Sequence, residues 1–260
     1  MKNLGKPVVA FAMAMLFAGG ALAAGVVQSM KGDVKAGPVG QAAGPVAVNQ
    51  RLMPGTAVTT GPDAQVVLRF DDGQQVVLNQ NTEFRIVDFH YEASDSKLDR
   101  TVFDLIKGAL RMASGAIVGR NRQAVALRTP QATMGIRGTD FMVVLVNPAY
   151  VSVLQGAVSV TNAAGTVGFG AGSFGTVATS ATLATAIPAS ALPAAASAAF
   201  SSMSAAAGVA AAGGAAEGAA GTSAAAGGTT AATAAGVAAA AAAVAGAAAA
   251  SRSSSTTTHH

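Results

Sequence analysis

Cysteine and tryptophan are absent from this chain of 260 residues. The missing cysteine excludes a disulfide framework and thiol chemistry. It also excludes the lipid-modified cysteine that follows the export signal of a bacterial lipoprotein. Tyrosine occurs only at Tyr91 and Tyr150. Sugar sites and single-stranded nucleic-acid grooves use aromatic platforms, and no aromatics interleave with the basic residues, so nucleic acid is not an expected partner. There is no Walker pattern and no Gly-x-Ser-x-Gly elbow. The stretch "GAGSFG" at 170–175 matches a dinucleotide fingerprint in form only. No amphipathic helix and no suitably spaced acidic residue follow it. No cofactor and no catalytic residue are expected, and the chain does not read as an enzyme.

What is present begins with the first 23 residues. Lys2 and Lys6 precede an apolar run from Val8 to Phe17, and "ALAA" ends at Ala24 after Gly19-Gly20. Positive start, apolar middle and small-residue cleavage site are the order of an export signal, with cleavage expected after Ala23. The apolar run is short for a membrane span. Export without disulfides suits the periplasm or cell surface of a Gram-negative bacterium.

Composition changes sharply near Ala178. From there alanine dominates, with Gly, Ser and Thr, and Glu217 is the only charge before Arg252. Segment 179–260 therefore reads as a low-complexity tail, flexible or locally helical, with few large side chains to offset the entropy of ordering. Membrane association of the tail is not expected, because alanine contributes little transfer energy. Residues 25–178 hold nearly all the large apolar side chains and are expected to fold without the tail.

Within 25–178 short apolar runs alternate with turn signals. In "AQVVLRFDDGQQVVLN", Val66, Leu68 and Phe70 alternate with Val67 and Arg69, a period of two. Asp72-Gly73 supplies a turn, and Val76 and Leu78 continue the inward face. In "EFRIVDFHY", Phe84, Ile86 and Asp88 fall on one side. Further strands are expected at 101–106, 109–112, 124–128, 132–134, 140–146, 150–154, 157–161 and 166–169. Gly108, Ser114-Gly115, Asn121, Pro130, Gly138, Asn147-Pro148, Gly156 and Gly165 read as the turns between them. The pattern predicts an all-β fold of many short strands: a β-roll, a solenoid-like stack or a sandwich.

Charge is uneven. Lys107, Arg111, Arg120, Arg122, Arg128 and Arg137 follow Asp104 with no acidic residue among them. They read either as a solvated strand face or as a surface for an acidic partner. Arg120, Arg122 and Arg128 are the candidate binding residues, the first two in a loop "SGAIVGRNRQ", where binding residues commonly sit. His90 is the one histidine before the tail. Asp88, His90 and Glu92 would share a strand face opposite Phe89 and Tyr91. Such a trio could hold a metal; the plainer reading is a polar solvent face, and no metal site is assigned.

The stretches "GVVQSMKGDV", "MPGTAVTTGPDAQVVLRFDDGQQVVLNQNTEFRI", "LRTPQATMGIRGTDFMVV" and "YVSVLQGAVSVTN" together resemble the FecR domain family. The resemblance covers most of residues 25–178. It implies an all-β extracytoplasmic module that relays a signal or binds a partner and does not catalyse. The family's iron-uptake regulators carry a cytoplasmic segment that handles a sigma factor. On the export reading this chain carries none, and direct transcriptional regulation is not expected of it. The partner would be an envelope protein or an anionic polymer. A glycan- or peptidoglycan-binding surface module, with the tail as spacer, is the alternative. In the motif itself Pro130 marks a strand edge or turn. Gly135 and Gly138 permit unusual backbone angles or close approach. Arg137 is expected to bond carbonyls or Asp140 across a turn that includes Thr139, as part of the frame.

Overall fold

The structure is a computed structural model that describes residues 24–121 and 123–214. The expected export signal, Arg122 and the tail beyond 214 lie outside the described residues.

Five strands come first: β1 (Gly25–Lys31), β2 (Val34–Pro38), β3 (Gly44–Pro45), β4 (Arg51–Leu52) and β5 (Thr56–Thr60). The hairpin of β6 (Gln65–Phe70) and β7 (Gln75–Leu78) precedes β8 (Glu83–His90) and the long β9 (Arg100–Ala113). A short helix α1 (Ala116–Arg120) leads to β10 (Val125–Arg128). Two more long strands, β11 (Thr133–Leu145) and β12 (Ala149–Asn162), are followed by β13 (Gly165–Gly170), β14 (Phe174–Val177) and β15 (Thr185–Ile187). Helix α2 (Ala194–Gly214) ends the described chain.

All of these strands form one 15-stranded sheet, in keeping with the all-β expectation. Pairing is antiparallel except between β9 and β10, so the architecture is a folded sheet and not a stack of parallel rungs. The sheet folds into two layers because three strands serve both. The first half of β9 lies between β8 and β10, and its second half between β7 and β11. Strand β11 runs from β10 to β9 along its length, and β12 passes from β14 to β13.

The glycines read as turns mark these crossings. Gly108, Gly138 and Gly156 have φ of 86°, 65° and 78°, yet each lies inside an unbroken strand. The chain bends there without reversing. At Gly108 and Gly156 a side chain is also sterically excluded: a Cβ would run into Thr82 at the first and the Gly138 carbonyl at the second. Six expected short strands are therefore three long ones.

The core lies between the layers. Phe70 of the first layer packs on Phe103 and Phe89 of the second, with ring centroids 4.8 and 5.3 Å apart, and Phe103 continues to Phe84 at 5.0 Å. Val66, Leu68, Val76 and Leu78 join them from the β6–β7 hairpin, on the face that the period of two predicts. One strand breaks that pattern. A register shift in β8 between Ile86 and Asp88 leaves Val87 exposed and turns Phe89 inward, so Asp88 does not continue the face of Phe84 and Ile86.

Ordered structure continues past 178. Strand β15 pairs with β14, and α2 lies on the outer face of the first layer. There Ala196, Phe200 and Met203, at helical spacing, cover Ala109, Met142 and Val144, while Ala206 packs on Val67 and Val77. Val67 and Val77 are the outward residues of strands whose inward residues fill the core. An apolar outer face needs a cover, and the small residues of α2 let the helix lie close to it. No helix among the described residues is long and apolar enough to cross a membrane.

Candidate interaction face

The second layer presents an open outer face built from β8 to β13. Its side chains stand in cross-strand rows, because residues directly opposite in a sheet share a face. One row runs Arg85, Asp104, Arg128, Thr133, Thr161, Thr166. The next runs Val102, Ala126, Gly135, Ser159, Gly168, and is made of small side chains from Ala126 onward. A third runs Arg137, Ala157, Gly170.

The candidate binding arginines are engaged within the domain. Arg128 Nε donates to Asp104 Oδ1 at 2.8 Å. Arg120 donates to the Glu92 carbonyl at 2.7 Å, lies 3.4 Å from Asp99 Oδ2, and sits over the Tyr91 ring at 5.4 Å. It belongs to α1 and not to the loop expected there. Asp99 and Asp104, which pair with these arginines, precede the acid-free run, and Asp140 pairs with Arg111, so three of the run's six cations are paired in space among the described residues. Arg122, the third candidate, lies outside the described residues.

Helix α1 is fixed from below by Asp72, which is 6% exposed. Its Oδ1 accepts the Gln74 N–H at 3.0 Å, and its carbonyl accepts the Ala116 N–H at 2.9 Å. Burial raises the Asp72 carboxyl above the usual aspartate range; the backbone bonds at Gln74 and Ile117 oppose this, and nearby Asp99 adds to it. Gly115 leaves room for that carboxylate, which a Cβ would strike.

The motif residues divide between frame and face. Pro130 sits in the β10–β11 turn, closed by the Thr129 N–H bond to the Ala132 carbonyl at 2.9 Å. Gly135 allows a close approach: a Cβ there would lie 2.6 Å from Ser159 Oγ. Gly138 takes the left-handed angle at the bend of β11. Thr139 is buried, and its N–H and carbonyl both bond to Ser114, at 2.8 Å through Ser114 Oγ and 2.9 Å through its N–H. Arg137 departs from expectation. Asp140 is held by Arg111, at 2.9 and 2.6 Å, and Arg137 is exposed with no ion pair or hydrogen bond among the described residues. It lines a trough of about 420 Å³ together with Gln123, Val125, Ala126, Gly135 and Ser159. The sequence signal for this trough was the small residues at alternate positions in β11 and β12.

The Asp88–His90–Glu92 trio does not assemble. Asp88 pairs with Arg100 at 3.0 Å, and Glu92 lies beyond the end of β8. Among the described residues no group of three His, Asp or Glu side chains is placed to hold a metal.

A family model described as FecR protein matches residues 56–159, from the start of β5 to the middle of the second half of β12. No curated protein matches the chain. Among solved structures, two crystal structures of a candidate anti-sigma factor from Parabacteroides distasonis ATCC 8503, at 1.65 and 2.50 Å resolution, are similar at 17% identity and a TM-score of 0.40. The similarity covers 50% of this chain and 58% of that one, so the chain spans less than two thirds of that relative. The FecR family is regulatory rather than catalytic. The FecR match over residues 56–159 agrees with the family that the motifs resemble.

Proposed function

We propose that the protein is an exported, non-catalytic module of the bacterial envelope that relays a signal by binding another envelope protein. The FecR match supports the signal-relay part of this reading, and the export-signal order of residues 1–23 motivates the exported part. The matched residues build most of the open face that carries the Arg137 trough. A cation without a partner among the described residues, beside a floor of small side chains, suits a carboxylate on a partner, since arginine presents a planar fork of donors to it. The glycan reading gains no support there, because no aromatic side chain lines the trough.

The test has two parts. Fractionation of cells making the full chain should place it outside the cytoplasm, trimmed by the length of the first 23 residues. A photocrosslinking residue at Gln123 should then label an envelope protein, and Arg137→Glu should abolish that label. A chain retained at full length in the cytoplasm, or labelling unaffected by Arg137→Glu, refutes the proposal.

A further inference from the structure

Among the described residues the sheet has four edge strands, each with a single neighbour: β3, β4, β13 and β15. Exposed edges are templates for pairing, and proteins guard them with proline, charge or brevity. Strand β3 is two residues and contains Pro45. Strand β4 is two residues and contains Arg51. Strand β15 is three residues and stops at Pro188. Strand β13, "GTVGFG", is six residues with no proline and no charge, and its pairing with β12 runs without a bulge.

The register shows which groups are free. Asn162 pairs with Gly165 across a two-residue turn, so Gly165, Val167 and Phe169 bond to β12. The backbone N–H and C=O groups of Thr166 and Gly168 and the N–H of Gly170 then point away from the sheet, while the Gly170 carbonyl accepts the Ser173 N–H and hydroxyl; all three residues are exposed. Two are glycines, which removes side-chain bulk from the edge.

We propose that β13 is a self-association edge, at which two copies of the chain join antiparallel about Gly168 into a continuous sheet. The composition of the strand selects a second copy. An uncharged edge meets itself with no like-charge repulsion, and pairing about Gly168 sets Thr166 opposite Gly170, a small residue against none. This proposal is independent of the signalling role, because it rests on the backbone edge of β13, whereas the trough is lined by residues of β10, β11 and β12 and the segment before β10.

The chain has no cysteine, so one introduced thiol reports the contact without background. At Gly168 a Cβ meets open space, so Gly168→Cys leaves the fold intact. Opposed residues of paired strands lie within disulfide reach. The experiment uses the full chain. Sedimentation should show a dimer that dissociates on dilution. Oxidation of Gly168→Cys should trap it as a covalent dimer, and Thr185→Cys on guarded β15 should not. Gly168→Lys should shift sedimentation to monomer with an unchanged circular dichroism spectrum. A parent chain that is monomeric at every concentration overturns the proposal, as does a dimer that Gly168→Cys fails to trap.

Discussion

Arg111 of β9 grips Asp140 of β11 with two parallel bonds, Nε to Oδ1 at 2.9 Å and Nη2 to Oδ2 at 2.6 Å. Both side chains are largely shielded from water, at 17% and 22% exposure. The carboxylate holds the Arg111 guanidinium more firmly protonated than usual. Asp140 stands two residues past the bend at Gly138, so the pair fixes the point where β11 enters the first layer.

Breaking it should destabilise the domain. Arg111→Ala and Asp140→Ala should each lower unfolding free energy in urea by about 1–3 kcal/mol, and a double-mutant cycle should show coupling of about 1–2 kcal/mol. Arg137→Ala should stay within about 0.5 kcal/mol. Equal losses at Arg111 and Arg137 would contradict the pairing.

The three bends should differ in tolerance. Gly138→Ala meets no neighbour and should cost only the left-handed strain, about 1 kcal/mol. Gly156→Ala and Gly108→Ala add a collision with backbone or with Thr82, and each should cost about 3 kcal/mol or more. Urea midpoints of the three variants check the order.

Helix α2 should contribute to stability. Phe200→Ala and Met203→Ala should each cost about 2–4 kcal/mol, as buried large-to-small changes do. Ending the chain after Val177 should uncover Val67, Val77, Ala109, Met142 and Val144, lower the melting temperature and increase binding of a hydrophobic dye. An unchanged melting temperature would restore the sequence expectation that the tail is dispensable.

Asp72 gives a pH signature. Its folded carboxyl binds a proton more tightly than an unfolded aspartate, whose ordinary value is 3.8. Its contribution to stability is therefore fully present below about pH 3.8 and declines as pH rises through the higher folded value. Asp72→Asn removes that dependence. Relative to the parent, the variant should gain stability as pH rises from strongly acid toward neutral, read from urea midpoints across the range. A constant difference between the two proteins would contradict the assignment.

Local periodicity was enough to find the β6–β7 hairpin, its inward Val66, Leu68, Phe70, Val76 and Leu78, and the turn at Pro130. It failed where a local signal has two meanings. A glycine with positive φ serves a turn or a bend equally well, so Gly108, Gly138 and Gly156 read as chain reversals when they are layer crossings. The charge run misled because ion pairs form in space: Asp99 and Asp104 stand before it in sequence yet hold Arg120 and Arg128. Phe200 and Met203 were hidden by their alanine surroundings, although "FSSM" places them one helical turn apart. Nothing local announced the β8 bulge that displaces Asp88.

The shared strands also determine how the domain bears force. In a sandwich whose layers meet only through side chains, a shearing load is resisted by packing alone, and one layer can slide over the other. Here β9, β11 and β12 carry peptide bonds from layer to layer. A pull on one layer is transmitted to the other through covalent backbone, across the bends at Gly108, Gly138 and Gly156.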